Sequence, residues 1–171
     1  MSKIYFWSDL HLGHEKIYSA PFMSSVDNTR PMRPFSNAEE ADEYMIEQYN
    51  NIVTHGDKVY FLGDIAIGKS HIQKLERMKY GHKYLILGNH DNQAPIEEYK
   101  KYFNKIYGVL YMPDYKAICT HVPIHPNGLK EGSRFSCNIH GHLHDHLIQD
   151  NRYINVSVEQ TSYKPIELNK C

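Results

Sequence analysis

Five short apolar segments of this chain are each followed by residues that can bind a metal ion. The segments are strand-sized, rich in β-branched and aromatic residues, and mostly bounded by Gly, Asn, Asp or Pro, as is typical of β-strands. They cover Ile4–Trp7, Val59–Leu62, Tyr84–Leu87, Ala117–Thr120 and Phe135–Ile139. The polar residues that follow them, in chain order, are Asp9 and His11, Asp64, Asn89 with His90 and Asp91, His121, and His142 with His144. Because ligands of open α/β sheets bind at the carboxyl ends of the strands, the pattern predicts one polar site at one sheet edge.

The spacing within these motifs strengthens that prediction. Asp9 and His11 are two residues apart, as are His142 and His144, and in an extended chain this spacing puts both side chains on one side. Taken singly, each residue has an ordinary explanation: an Asp after a strand often forms a turn, and a His can belong to a core. It is the set that favours metal binding. A glycine directly precedes three of the candidate ligands, at Gly63, Gly88 and Gly141, where the backbone can turn sharply or approach an ion closely.

Helical patterns alternate with the early strands. Ser36 followed by Glu39 predicts a capping box at the start of a helix, Ser70 is a candidate cap for a second helix, and Pro95 suits the first turn of a third. This alternation predicts parallel βαβ units in the first two-thirds of the chain. The last third is expected to contain strands joined by turns, and hence a more antiparallel arrangement. Its further strand-sized segments are Ile106–Tyr111, Tyr153–Val156 and Lys164–Leu168.

Composition limits the class of protein. The 171 residues show no repeat or linker, so one domain covering residues 1–171 is expected. With 19 basic and 20 acidic residues, the chain is not expected to be a general nucleic-acid binder. It has no apolar segment long enough for a signal core or a membrane span. The three cysteines form no Cys-x-x-Cys pattern, which predicts reduced thiols and a cytoplasmic location.

The ordered motifs resemble those of the calcineurin-like metallophosphoesterase family. Single blocks such as Gly-Asp carry almost no information, but the full set occurs in the family's order across residues 9–144. The motifs are Asp9-x-His11, Gly63-Asp64, Gly88-Asn89-His90-Asp91, His121 and Gly141-His142-x-His144. Further stretches look like the family's small bacterial and phage members: Trp7–His14, Arg33-Pro34-Phe35 and Val59–Asp64.

The resemblance implies a fold and a ligand set. The fold would be a four-layer α/β sandwich of two mixed β-sheets flanked by helices, with the metals at the carboxyl-terminal edge of the strands. Two divalent ions would be bound, chosen from Mn, Fe, Ni and Zn with Mn favoured, since carboxylate, amide and imidazole ligands suit these metals. One ion would be held by Asp9, His11, Asp64 and His144, and the other by Asp64, Asn89, His121 and His142.

The resemblance also implies a reaction, which is hydrolysis of a phosphodiester or phosphomonoester by a hydroxide that bridges the two metals. His90 would act as a general acid or as an electrostatic stabiliser of the transition state, and Asp91 could orient its ring. Residues after Asp64 lack the Asp-Arg-Gly of the family's protein serine/threonine phosphatases, and Asp91 stands where those have Glu. The substrate is therefore expected to be a small phosphate ester, with a nucleotide-like one favoured. Expected substrate contacts are Arg33, His14 and His125.

Two other functions stay open at this point. A metal-binding scaffold that acts through a protein partner would keep the fold, although such proteins typically lose ligands or the catalytic His, and none is lost here. A nuclease on DNA or RNA ends is less favoured, because it would need a basic stripe that the composition does not show. The sequence specifies neither the oligomeric state nor the physiological substrate.

Overall fold

The computed structural model describes residues 2–19, 22–130, 132 and 134–170, and these residues form two β-sheets. Strands are numbered β1 to β9 in chain order. The first sheet contains β1 (Ile4–Trp7), β2 (Lys58–Phe61), β3 (His82–Ile86), β4 (Lys105–Tyr107) and β9 (Ile166–Glu167), in the spatial order β4-β3-β2-β1-β9. The second contains β5 (Leu110–Met112), β6 (Ala117–Cys119), β7 (Cys137–His140) and β8 (Tyr153–Asn155), in the order β5-β6-β7-β8.

The first sheet has the parallel arrangement that the sequence predicts. β1, β2, β3 and β4 are parallel neighbours, with Tyr5 opposite Val59 and Val59 opposite Lys83. β9 returns antiparallel to β1 and makes the sheet mixed. β1 has its predicted bounds, whereas β2 begins and ends one residue early. The carboxyl ends of β1, β2 and β3 therefore point to the same edge.

The second sheet corrects two expectations. The predicted strand Ile106–Tyr111 is divided, because the chain leaves the first sheet after β4 and enters the second at β5. The last third is also less antiparallel than expected: β5 is antiparallel to β6, but β6 and β7, and β7 and β8, are parallel. The connecting segments 120–136 and 141–152 are long enough to carry the chain back to the same end of the sheet, as parallel pairing requires.

The longest described helix, α1 (Ala38–Ile52), is capped by Asn37, one residue after the predicted cap Ser36. The side chain of Asn37 accepts the backbone N–H of Glu40, and the Glu40 carboxylate accepts the N–H of Ser36. The expected capping box on Ser36 and Glu39 is therefore wrong by one position. The helix buries an apolar face that includes Met45.

Shorter helical segments complete the layer beside the first sheet. Helix α2 (Lys69–Ile72) begins after Gly68, whose φ of 81° suits a glycine, so Ser70 is not its cap. Helix α3 (Ile96–Tyr99) follows Pro95, close to the predicted start. The 3₁₀ turns cover Glu15–Tyr18, Gln73–Arg77, Asp91–Gln93, Pro113–Tyr115 and Pro126–Gly128.

Alternate residues of β1 enter two different hydrophobic cores, because successive side chains of a strand point to opposite faces. Trp7 packs with Tyr49 of α1 in the core between the first sheet and the helices. Phe6 enters the core between the two sheets, together with Ile86 and Ile139. The predicted α/β sandwich of two mixed sheets flanked by helices is confirmed.

The structure bears on two further predictions. No helix in the described part of the chain combines the length and the apolar character that crossing a membrane requires. Cys119 is a free, buried thiol, but Cys137 is disulfide-bonded, so the prediction of reduced thiols is wrong for Cys137. Cys171 lies outside the described residues. The cytoplasmic location stays a prediction.

Candidate metal centre

Backbone hydrogen bonds continue past the strand ends and hold the ligand-bearing loops together. The N–H of Asp9 donates to the carbonyl of Gly63 at 3.0 Å, and the N–H of His11 donates to the carbonyl of Asp64 at 3.0 Å. The loop that follows β7 of the second sheet contacts the same region, since the N–H of His142 donates to Oδ2 of Asp9 at 2.9 Å. The two sheets therefore share one loop cluster at this edge, as the sequence predicts.

Most of the predicted ligands have a left-handed backbone, which side-chain-bearing residues rarely adopt. The φ angles are 59° at Asp9, 50° at His11, 53° at Asp64, 69° at His142 and 51° at His144. The pairs Asp9 and His11, and His142 and His144, are thus brought together by tight turns and not by the extended chain that their spacing indicated. Such conformations cost roughly 1–3 kcal/mol each and concentrate at functional sites.

Asp9, His11 and His144 form what we call the first ligand cluster. One ligand atom of each lies within 4.8 Å of the others. Nε2 of His11 is 3.8 Å and Nε2 of His144 is 3.9 Å from Oδ1 of Asp9. Burial, and then the charge of Arg33, hold the pKa of His11 well below its usual range. His11 is therefore neutral, the form that binds metal.

Asp64, His121 and His142 form the second ligand cluster, again with one ligand atom of each within 4.8 Å of the others. Nε2 of His121 lies 3.2 Å from Oδ2 of Asp64 and 3.0 Å from Oδ1 of Asn89, which adds an oxygen ligand. Burial alone would lower the pKa of His121, but the hydrogen bond with Asp64 and the charges of Asp9 and Asp64 raise it to about 9. This cluster therefore favours positive charge.

Asp64 belongs to the second cluster but also lies next to the first. Its Oδ2 is 3.5 Å from Nε2 of His11 in the first cluster and 3.2 Å from Nε2 of His121 in the second. Its Oδ1 accepts the backbone N–H of His90 at 2.8 Å, which fixes the carboxylate plane. A carboxylate in this position can contribute to both metal sites.

The buried polar atoms fit divalent metals. Oδ1 of Asp9 and both ring nitrogens of His11 are buried and lack a hydrogen-bond partner among the described residues. Such atoms are costly to leave unpaired, and a bound cation would satisfy Oδ1 of Asp9 and Nε2 of His11. The carboxylate, imidazole and amide donors suit Mn²⁺, Fe²⁺, Ni²⁺ or Zn²⁺.

Two of the predicted close backbone approaches occur at the clusters. A Cβ at residue 88 would meet Oδ1 of Asp64, and a Cβ at residue 141 would meet Oγ of Ser8 and Oδ2 of Asp9. Glycine is the residue that leaves these carboxylates room. Gly88 and Gly141 therefore shape the site without contributing a ligand.

His90 faces the clusters without belonging to either. Its ring lies edge-on to that of His11 with centroids 5.2 Å apart, and its Nε2 is 4.0 Å from Oδ2 of Asp64. Its side chain is 40% exposed, so one side of the ring is open to solvent. Nδ1 pairs with the side-chain amide of Gln93 at 3.0 Å.

The expected role of Asp91 in orienting His90 is wrong. The Asp91 carboxylate is buried and accepts the backbone N–H groups of Asp64, Ile65 and Gly88 at 2.7–3.0 Å. Its oxygens are therefore used to join the loops after β2 and β3, and Gln93 contacts the His90 ring instead.

The three expected substrate contacts differ in position. Arg33 is 1% exposed, and its guanidinium donates to Glu159 and to the carbonyls of Asp9 and Leu10, so the expectation that it binds substrate is wrong. His14 lies beside the first cluster, with its ring centroid 5.5 Å from that of His11. His125 is exposed, and its Nδ1 accepts the N–H of Asn127. Of the three, only His14 is both next to a predicted ligand and partly exposed.

Sequence reasoning missed Glu159 and Ser157, which follow β8. Oε1 of Glu159 accepts from Nδ1 of His144 at 3.0 Å, and Oγ of Ser157 donates to Oδ2 of Asp9 at 2.9 Å. Neither residue lies in a recognisable motif. The one sequence feature that could have indicated them is their position directly after the predicted strand Tyr153–Val156, since the predicted ligands also follow strands.

The sequence pattern of the calcineurin-like phosphoesterase family matches residues 2–167. The chain belongs to this family. Members of the family are phosphoesterases, and the family generally binds two divalent metals, which agrees with the two ligand clusters.

Similar proteins extend the match without naming a substrate. An uncharacterized protein of Methanocaldococcus jannaschii, MJ1445, is 32% identical over 98% of this chain and 88% of its own length. The gene 66 protein of Mycobacterium phage L5 is 33% identical over 56% of this chain and 43% of its own. The crystal structure of AQ665 from Aquifex aeolicus, a protein of unknown function, covers 97% of this chain and 95% of that one, with a TM-score of 0.66 and 23% identity. The chain thus shares its fold with AQ665.

Proposed function

We propose that this phosphoesterase hydrolyses a small phosphodiester or phosphomonoester with two divalent metals, and that Mn²⁺ is the favoured ion. The observation that carries the proposal is the position of Asp64, whose Oδ2 lies within 3.5 Å of a histidine nitrogen of each ligand cluster. A shared carboxylate is what a two-metal site requires.

The chain's own residues would hold the ions and the substrate. Asp9, His11 and His144 would bind one ion, Asn89, His121 and His142 the other, and Asp64 both. When bound, two such ions activate water and neutralise the charge that develops on the phosphate oxygens.

His90 is proposed as the proton donor to the leaving oxygen. It is close to both clusters but is not needed as a ligand, and its partly exposed ring can reach a bound substrate. The contact of Nδ1 with Gln93 fixes the ring orientation and leaves Nε2 facing the clusters.

A cavity of about 580 Å³ borders Glu159, but neither His90 nor any of the proposed metal ligands lines it. It is lined by Glu159, which contacts His144, and by Phe35, Tyr44 and Tyr163. Because this cavity does not adjoin the proposed ligands, the preference for a nucleotide-like substrate rests on the family resemblance and not on the aromatic lining.

The first test compares bis(p-nitrophenyl) phosphate with p-nitrophenyl phosphate, with Mn²⁺ added and again after chelation. We expect chelator-sensitive turnover that Asp64→Asn abolishes and His90→Ala lowers by roughly 10²–10⁴. His82→Ala is the matched control, since this exposed histidine begins β3 at the opposite end of the sheet and should leave turnover unchanged. A higher kcat/KM for a nucleoside p-nitrophenyl ester than for the methyl ester would support the nucleotide-like substrate.

The same assay distinguishes the alternatives. Two bound metals without turnover of any ester would contradict the proposal and favour a scaffold that acts through a protein partner. Cleavage of labelled DNA or RNA strands by the metal-loaded protein would favour a nuclease instead.

A further inference from the structure

We infer that Arg33 and Glu159 are positioning residues for the first ligand cluster alone, and that the second cluster keeps its metal without them. The inference rests on the proposed function, because it concerns the ions that the two clusters would hold. It assigns a role to a buried ion pair of which only Arg33 lies in a family-like stretch.

Arg33 holds the left-handed turn that carries Asp9 and His11. Its Nη2 donates to the carbonyl of Asp9 at 2.5 Å and its Nη1 to the carbonyl of Leu10 at 2.8 Å. These two carbonyls belong to the peptide groups on either side of Leu10, so the guanidinium sets the direction in which both ligands leave the turn. A planar fork of donors can bind two such carbonyls at once, which a lysine cannot do in the same way.

Glu159 connects this guanidinium to the third ligand. Its Oε1 accepts from Nε of Arg33 at 2.8 Å and from Nδ1 of His144 at 3.0 Å. With Nδ1–H directed at the carboxylate, Nε2 of His144 carries the lone pair and faces Asp9. A carboxylate in this position selects the tautomer and makes the imidazole a better ligand.

Both charged groups are withdrawn from solvent. The side chains of Arg33 and Glu159 are 0% and 3% exposed. A fully buried ion pair is expensive to form, and the loss of either partner leaves the other charge buried and unpaired. Here the pair contacts the backbone of Asp9, the carbonyl that precedes His11 and the ring of His144.

The second cluster is held by other contacts. Nδ1 of His121 pairs with the carbonyl of Leu62 at 2.7 Å, and Asp64 accepts the N–H of His90. Neither Arg33 nor Glu159 forms a hydrogen bond with these groups in the described part of the chain. The hydrogen bonds of Arg33 and Glu159 therefore support the first cluster only, although backbone hydrogen bonds join the Asp9–His11 turn to the loop of Asp64.

The test measures Mn²⁺ binding by isothermal titration calorimetry and by electron paramagnetic resonance. We expect wild-type protein to bind two Mn²⁺ per chain and to show a spin-coupled pair. Glu159→Gln should bind one Mn²⁺ with unchanged affinity and the other about 10–100-fold more weakly, the usual effect of losing such a support. At one equivalent it should show the spectrum of an isolated Mn²⁺.

Two further variants keep the test decisive. Arg33→Lys retains the charge but not the planar fork of donors, and it should weaken the same Mn²⁺ site. It replaces Glu159→Gln in the test in case that variant does not fold. Asn89→Ala removes a ligand of the second cluster, so it should weaken one Mn²⁺ while leaving the first cluster loaded. Each folded state is checked by circular dichroism before metal is added.

The outcomes separate this inference from the proposed function. Variants that bind two Mn²⁺ as tightly as wild type, or that lose both ions in parallel, would overturn the positioning role while leaving the proposed function standing. Wild-type protein that binds fewer than two Mn²⁺ would overturn the proposed function and this inference with it.

Discussion

At the scale of single residues, the site depends on backbone conformations that most side chains avoid. His11 and His144 each have φ near 50°, and each is a predicted ligand. These left-handed conformations are unfavourable by themselves and persist where surrounding contacts hold the backbone. The hydrogen bond from Arg33 to the carbonyl of Asp9 is such a contact. Gly88 and Gly141 are required for a similar reason, because a methyl group at either position would occupy the space of a ligand carboxylate.

Gly141→Ala tests whether the site requires a glycine beside Asp9. The added methyl would meet Ser8 and Oδ2 of Asp9, so the Asp9 carboxylate must leave its present position. We expect metal binding at the first cluster to weaken roughly 10–100-fold, by analogy with other changes that misplace a ligand. Metal content after dialysis measures this. Gly108→Ala is the control, because nothing lies within 4 Å of a Cβ there, and equal metal loss in both variants would contradict the prediction.

At the scale of elements, the loops after β2 and β3 behave as one unit because Asp91 joins them. Its carboxylate accepts the N–H groups of Asp64 and Ile65 from one loop and of Gly88 from its own. Burial raises the pKa of Asp91, and these backbone hydrogen bonds oppose the rise. The contact explains how two separate strand ends place their ligands at a fixed separation.

Asp91→Ala should therefore destabilise the fold as well as the site. It leaves three amide groups without their acceptor, and each buried unpaired donor costs about 1–3 kcal/mol. We expect the free energy of unfolding to fall by about 3 kcal/mol or more, measured by urea denaturation of the metal-free protein. The exposed Asp114 provides the control, and an Asp91→Ala loss no larger than that of Asp114→Ala would refute the assignment.

At the scale of the whole molecule, the Arg33–Glu159 ion pair joins the end of the second sheet to the turn that follows β1. Burial would raise the pKa of Glu159, but the charge of Arg33 and the hydrogen bond with His144 lower it from 4.5 to about 2. A carboxylate with a depressed pKa stabilises the folded state above its unfolded pKa, and that contribution is lost as the pH falls through the folded value.

We therefore expect the urea midpoint of the metal-free protein to decrease between about pH 4.5 and pH 2 in wild type. Glu159→Gln, which cannot ionise, should be less stable at pH 7 and show a flatter dependence on pH in this interval. Parallel curves for the two proteins would show that Glu159 does not contribute to the acid sensitivity.

The sequence alone determined the parts of this protein that depend on local pattern. Strand-sized apolar runs predicted β1 to within its bounds and the other first-sheet strands to within a few residues. Because chain order places parallel strand ends at one edge, the motifs from Asp9 to His144 were enough to predict that their side chains meet there. The family's motif order supplied the ligand sets, whose division between two metals stays a prediction.

Tertiary structure decided what distant segments do to one another. The divided strand at residues 106–111, the parallel pairing of β6 to β8 and the backbone contacts of Asp91 depend on which surfaces meet, and adjacent sequence does not encode that directly. Arg33 looked like a substrate contact because it lies in a loop, within the family-like sequence Arg33-Pro34-Phe35. Its burial depends on Glu159, 126 residues away, and a long-range ion pair of this kind has no periodic or local signature in a single sequence.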